Sequence, residues 1–356
     1  MKALLAFFGT VAFVINSYSQ SNPSDEIKDL KDQLRNLSFQ LDMVRKATDD
    51  ILWYDRVGDV AWIDKVTITG PPQKSKNPTA QGAGNPLVIR SYVFIPKNLD
   101  VNKNYPLVMY SHGGVHGDFN TFSAHIVREL VAQGYVVAAP DYRGSTGYGR
   151  GYWEAIDYGE KEVVDVNTTR DYVVNNYSFV DKDRVGTIGW SHGGMITLLD
   201  IFANPDDYKV AYAGVPVSDL VARMGYKSQS YRDLFAADYH IGKDASENVQ
   251  EYRKRSPVWN THKLKTPLLV HTNTNDEDVN SLEVEQLIKS LKSENKRFEY
   301  QIYENIEGGH IFDRIDTRAG KEIRLKVYKF INGHLSPAKA FQSLKEMDAA
   351  SYYFQK

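Results

Sequence analysis

The segment Arg184-Val185-Gly186-Thr187-Ile188-Gly189-Trp190-Ser191-His192-Gly193-Gly194-Met195-Ile196-Thr197-Leu198-Leu199 restricts the fold more than any other part of the chain. It places G-x-S-x-G between a short apolar run and a helix-forming run, the context of a serine carried on a sharp strand-to-helix turn. Glycines on either side are needed because side chains there would clash with a backbone folded so tightly. The helix N-terminus behind Ser191 favours negative charge. Taken alone, the motif also fits a glycine-rich turn without chemistry.

The surroundings repeat one rhythm. Candidate strands are Val66–Thr69, Leu87–Ile95, Leu107–Tyr110, Tyr135–Ala139, Val185–Gly189, Val210–Val215, Leu268–Val270 and Phe298–Tyr303. Helical stretches fall near 122–133, 160–176, 192–203, 281–294 and 318–332. Alternation of this kind predicts a mostly parallel sheet with helices on both faces. Residues 71–86 are a turn-rich loop. The polar and aromatic stretch 219–262 breaks the rhythm and reads as a cap inserted over the strand ends, in a domain expected to run over 60–335 and to be followed by a tail, 336–356. With 356 residues, 42% hydrophobic and 25% charged, the chain has ample apolar mass for such a core.

An activated serine needs a base and an acid that orients it. Both are offered at later strand ends: Asn273-Thr274-Asn275-Asp276-Glu277-Asp278-Val279 after one strand, Glu307-Gly308-Gly309-His310 after the next. Separately, Asp276 reads equally well as a helix cap and His310 as a turn residue; three coordinated placements favour chemistry. An oxyanion site needs two backbone N–H groups. One is expected from His192, the other from Gly114 or Val115 in the loop Ser111-His112-Gly113-Gly114-Val115-His116-Gly117. His112, His116 and His192 lack ligand spacing such as H-E-x-x-H, so no metal and no cofactor is expected.

Pro140-Asp141-Tyr142-Arg143-Gly144-Ser145-Thr146-Gly147-Tyr148-Gly149, then Gly159-Glu160-Lys161-Glu162-Val163-Val164-Asp165-Val166, then Asp183-Arg184-Val185-Gly186 and the G-W-S-H-G-G turn resemble the prolyl oligopeptidase (S9) family of serine peptidases. The resemblance covers about 64–334. It implies an α/β-hydrolase fold, with an eight-stranded, mostly parallel sheet, and Ser191, Asp276 and His310 as the triad. It prefers Asp276 to Asp278 because the family's acid stands three residues before a valine, here Val279. The implied activity is hydrolysis of short peptides, and several members of the family hydrolyse esters. The family's usual β-propeller is not expected, since fewer than 90 residues precede Leu87–Ile95. The tyrosine usual after the nucleophile is His192, and the usual H-G after the seventh strand is His271-Thr272. The aromatic proline pocket is altered around Ser218–Tyr226. There Arg223 and Tyr226 are expected to meet substrate: Arg223 either reads an anionic group or pairs with an acid such as Asp219 or Asp233. A stand-alone carboxylesterase for acylated sugars or aryl esters is the alternative, and a non-catalytic binding or assembly protein a third.

The N-terminus reads as an export signal. Lys2 precedes the apolar run Leu4–Ile15, and Ser17-Tyr18-Ser19 offers small residues for cleavage near Ser19, making 1–19 the signal peptide. The mature chain is then expected in a periplasm or outside the cell, with no membrane contact after cleavage. No cysteine occurs, which excludes disulfides, thiolate metal sites, a cysteine nucleophile and a lipoprotein anchor. Net charge is −2, so no global field draws nucleic acid. Over 24–52, Ile27, Leu30, Leu34, Leu37, Leu41 and Val44 mark a heptad seam with Ser24 as cap. This helical arm either lies on its own domain or pairs two copies into a homodimer through 27–44.

Overall fold

The computed structural model describes residues 23–75 and 77–351. The expected signal peptide lies outside the described residues. The chain divides into two compact units at Ser38/Phe39.

The first element, α1 (Pro23–Val57), crosses that boundary as one helix. Pro23 is already helical, so Ser24 lies inside the helix and does not cap it. The six seam residues Ile27, Leu30, Leu34, Leu37, Leu41 and Val44 are 48–65% exposed. The stripe that enters the core of the second unit is a different one: Lys46, Trp53 and Val57 are buried, and Asp49 and Asp50 are half-buried. The helix therefore runs five residues beyond the expected end of the arm, and its last three turns belong to the hydrolase core.

Among the described residues eight strands follow in chain order: β1 (Ala61–Gly70), β2 (Leu87–Pro96), β3 (Tyr105–Ser111), β4 (Val136–Asp141), β5 (Val180–Trp190), β6 (Val210–Gly214), β7 (Leu268–Asn273) and β8 (Glu299–Tyr303). Their spatial order is β1-β2-β4-β3-β5-β6-β7-β8. The two pairings of β2, with β1 and β4, are antiparallel, and every other pairing is parallel. The candidate strands all appear, several of them longer than their apolar runs.

The helices are α2 (Ala124–Gln133), α3 (Arg150–Trp153), α4 (Lys161–Asn176), α5 (His192–Ala203), α6 (Leu220–Tyr226), α7 (Gln229–Ala236), α8 (Val249–Lys254), α9 (Ser281–Ser293), α10 (Arg318–Leu335) and α11 (Leu344–Ala349). Alternation along the strands explains why both faces are covered. On β3 and β4, Leu107, Met109, Val136 and Ala138 join one buried cluster with residues of α4, α5 and α9. Val108, Tyr110, Val137 and Ala139 join the other, with residues of α1, α2 and α10. Side chains two apart share a face, so a strand buried on both sides reads as a continuous apolar run. The expected C-terminal tail is part of this second cluster through Phe341 and Met347, which anchor α11. The cap, 219–262, contains α6, α7 and α8 between β6 and β7.

Candidate active site

Ser191 stands between β5 and α5 with φ 59° and ψ −122°. That is a costly conformation for a residue with a Cβ, and the surroundings fix it. Its N–H donates to Gly214 O at 3.0 Å, and its carbonyl accepts Met195 N at 3.0 Å and Val217 N at 3.1 Å. A Cβ at Gly189 would overlap the Gly193 carbonyl, and one at Gly193 would overlap the Ser111 carbonyl. The two glycines of G-x-S-x-G are thus required by the approach of β5, α5 and the end of β3.

β7 and β8 supply the partners. Past the end of β7, the buried Asp276 carboxylate accepts the N–H groups of Asp278 and Val279, each at 2.8 Å. Past β8, Gly308 (φ 101°) and Gly309 (φ 52°) turn the chain into a short 3-10 turn that carries His310. His310 Nδ1 lies 2.8 and 3.0 Å from the two Asp276 oxygens. Arg314 Nη2 donates to His310 O at 2.7 Å, and His310 N donates to Glu277 Oε2 at 3.2 Å. The other ring nitrogen, Nε2, lies 3.6 Å from Asp278 Oδ2. Among the described residues no hydrogen bond joins Ser191 Oγ to His310, but both line one cavity of about 310 Å3 together with Gly113, Gly114 and Phe122. Such contacts are often long before substrate arrives.

The loop after β3 closes the opposite wall. A Cβ on Gly113 would sit 3.1 Å from Trp190 O and 3.4 Å from Ser191 Cβ, so the glycine backbone passes directly over the serine. Gly114 has φ 82° and its carbonyl meets His192 Nδ1 at 2.9 Å. His192 opens α5, where the first N–H groups have no acceptor within the helix. Val115 is half-buried and packs against the core.

Arg223 requires a correction. It is 2% exposed, and all three guanidinium nitrogens are engaged. Nε donates to Tyr231 OH at 2.8 Å, Nη1 to Tyr226 OH at 3.0 Å and Asp278 O at 3.2 Å, and Nη2 to Asp278 Oδ1 at 3.2 Å. The acids paired with it are Asp278 and, at 3.6 Å, Glu283 rather than Asp219 or Asp233. Asp219 instead caps α6. A fork already committed to two carboxylates is not offered to a substrate anion. Tyr226 OH donates to Glu283 Oε2 at 2.6 Å, while its ring stays 40% exposed.

Two buried groups, Asp313 and Lys46, have no motif to announce them, and a third, Glu162, lies in the 159–166 segment with nothing there to name its partner. Glu162 Oε1 lies 3.3 Å from His192 Nε2. Asp313 Oδ2 accepts Trp190 Nε1 at 2.8 Å and Tyr212 OH at 2.6 Å. Lys46 reaches the loop after β3 from α1. No cluster of three metal-ligating side chains occurs among the described residues.

An elbow serine at the end of the fifth strand, with an acid and a histidine after the next strand ends in order, defines the α/β-hydrolase class. Within that class the chain belongs to the prolyl oligopeptidase family, whose sequence model matches residues 120–338. It is 28% identical over 212 residues to the uncharacterized peptidase YuxL of Bacillus subtilis, covering 59% of this chain and 32% of that protein. It is 29% identical over 222 residues to human dipeptidyl peptidase 8, covering 59% and 24%. Among solved structures, Pyrococcus horikoshii acylaminoacyl peptidase superposes with a TM-score of 0.64 at 18% identity, over 81% of this chain and 44% of that one. Porphyromonas gingivalis dipeptidyl peptidase 4 gives 0.60 at 22%, over 78% and 36%. These structural likenesses establish the fold. The chain spans about a third or less of the length of the two relatives named.

Proposed function

We propose that this chain is a serine hydrolase that cleaves short peptides through an acyl-enzyme. Ser191 Oγ attacks the scissile carbonyl while His310 Nε2 takes its proton. His310 then gives that proton to the departing amine as the C–N bond breaks, and a water hydrolyses the ester with His310 again as base. Asp276 holds the ring and stabilises it when charged. The N–H groups of His192 and of Gly114 or Val115 receive the developing oxyanion. The observation that carries this reading is the 2.8 Å contact of Asp276 with His310 in the cavity that holds the strained Ser191.

One observation favours the carboxylesterase reading. Phe122, on the wall of that cavity, is 51% exposed and offers an apolar face to an aryl or acyl group. A fluorophosphonate probe tests the shared mechanism: labelling of wild type and not of Ser191→Ala is expected, and equal labelling of both would sink it. Turnover of p-nitrophenyl acetate beside Ala-Pro and Gly-Pro anilides at equal enzyme separates peptidase from esterase. Absence of both labelling and turnover would leave the binding or assembly role.

Two expectations stand beside this reading as proposals. Export rests on Lys2 and the run Leu4–Ile15, and sequencing the N-terminus of the mature protein tests it. Among the described residues no helix is long and apolar enough to cross a membrane. Pairing of two copies through residues 27–44 rests on the exposed seam.

A further inference from the structure

α1 sends a lysine into the core directly behind the candidate site. Lys46 is 3% exposed. Its ammonium donates to Phe119 O at 2.6 Å and Tyr92 OH at 2.7 Å and pairs with Asp141 Oδ2 at 3.0 Å. Asp118 and Asp50 carboxylates lie 3.7 Å away. Burial alone would push the ammonium toward neutrality, but Asp141, Asp118 and Asp50 outweigh it and raise its pKa. Asp141, at the end of β4, is fully buried and also accepts Phe119 N at 2.6 Å. One turn further along α1, the Asp49 carboxylate accepts Thr121 Oγ1 at 2.6 Å and Thr121 N at 3.1 Å. Trp53 stacks on Phe119 with centroids 5.3 Å apart and planes at 4°.

The contacts to Asp118, Phe119 and Thr121 fall on the segment 118–121, and that segment continues the loop that passes over Ser191. Gly117, Asp118 and Asn120 line the same cavity as Ser191 and His310. Gly147, in the neighbouring loop, has φ 86°, and a Cβ there would overlap the Lys46 side chain. Both loops therefore close on this one lysine. A surface ion pair would contribute little, but a buried ammonium with two neutral acceptors and a carboxylate fixes geometry, because no alternative arrangement satisfies its charge.

We infer that Lys46 is a positioning residue: it fastens loop 112–121 from behind the Ser191 cavity, so that hydrolysis depends on the helix preceding the hydrolase sheet. The inference rests on the functional reading above, with the loop forming the oxyanion wall. It assigns α1 a part in the site that none of the site's own motifs announces.

Lys46→Met leaves Asp141 buried and uncompensated, so the decisive variant is Lys46→Met with Asp141→Asn, which removes both charges at once, read against Asp141→Asn alone because Asp141 also accepts Phe119 N. Amide hydrogen exchange and p-nitrophenyl acetate kinetics are measured on the full-length wild type and on this variant. Exchange over 112–121 should quicken about tenfold or more while β5 and β6 stay near wild type. kcat should fall about tenfold or more with KM held within about threefold, as expected when the loop is misplaced and substrate binding is kept. Unchanged exchange in 112–121, or faster exchange with unchanged kcat, overturns the inference. A wild type that neither turns over the ester nor takes the probe overturns the functional reading instead, and the exchange measurement still decides whether Lys46 orders the loop.

Discussion

Glu162 Oε1 lies 3.3 Å from His192 Nε2, with both side chains buried. His192 follows Ser191 directly, and its Nδ1 faces Gly114 O at 2.9 Å. A carbonyl only accepts, so the Nδ1–H donates to Gly114 O. The imidazole thereby bridges the turn that holds Ser191 to the loop that covers it. Glu162 also accepts Gly159 N and, at 3.3 Å, Glu160 N, so its oxygens are fixed from the other side.

Glu162→Gln should therefore be costly although it preserves shape. Either orientation of the amide turns an NH2 group toward a backbone N–H. A loss of about 2–4 kcal/mol in urea unfolding is expected, the range for breaking a buried polar pair. Unfolding unchanged within about 0.5 kcal/mol would mean that the contact is not stabilising.

The two aspartates beside His310 should separate cleanly. Asp276 is buried at Nδ1, whereas Asp278 is 42% exposed on the Nε2 side. Burial opposes ionisation of Asp278, but Arg223, Lys227 and His310 outweigh it and hold its pKa below the ordinary carboxylate value. Asp276→Asn should lower kcat about 10⁴-fold, as loss of the orienting anion does in such triads. Asp278→Asn should cost less than about tenfold, since Arg223 keeps its bond to the Asp278 main-chain oxygen. The opposite ranking would move the acid by two residues.

Much of this was legible in the sequence for a reason that can be named. A sheet buried on both faces leaves apolar runs, and each run here became a strand. The elbow, the acid and the histidine each sit at a strand end, where spacing along the chain is also spacing in space. Lys46, Asp313 and the partner of Glu162 were not legible, because a buried charge looks like a surface charge until its partner is known. Lys46 meets Asp141 from 95 positions away, and no local pattern links them. The acids that pair with Arg223 were not legible for the same reason: Asp278 and Glu283 lie across the cap, beyond the next strand.

Arg223→Met is accordingly expected to act on stability. It removes the cation beside the buried Glu283 and takes the guanidinium donor from Tyr231 and Tyr226. A loss of about 3–5 kcal/mol is expected for removing one partner of a buried pair. Selectivity between an anionic ester and its neutral analogue should stay the same, and a selective rise in KM for the anionic ester would restore the substrate role.

Acid should lower stability through His116, His240 and His271. Burial lowers the pKa of His116 and of His271 to about 4, from an ordinary value near 6.5, and holds that of His240 well below the ordinary value. Both ring nitrogens of His240 are buried without a partner among the described residues, between Phe235 and Tyr158. These imidazoles are neutral when folded and take up protons when unfolded, so their contribution is intact above about pH 6.5 and is lost as pH falls toward 4. Urea midpoints should drop steadily across that window. His240→Phe keeps the ring and removes the proton site, so its midpoint should fall less between about pH 7 and pH 5 than that of wild type. Parallel curves for the two proteins would assign the acid sensitivity to other groups.

The seam on α1 sets the last expectation, a dimer with parallel helices. With Ile27, Leu34 and Leu41 at one core position and Leu30, Leu37 and Val44 at the other, Glu26 and Lys31 flank the seam at positions that meet across a parallel pair. An antiparallel pair would instead bring Lys31 toward Arg45 of the second copy, like against like. The apolar residues are 48–65% exposed in the single chain, and a second copy of the same stripe is a complement that satisfies all six at once. The pattern lasts fewer than three heptads, so the pairing should be weak and concentration-dependent. Sedimentation of the full-length protein should show a monomer–dimer equilibrium, and Leu34→Glu with Leu37→Glu should leave only monomer while ester turnover per chain stays within about twofold of wild type. Monomer at every concentration for the unmutated chain would refute the pairing, and a dimer that survives both substitutions would place its interface elsewhere.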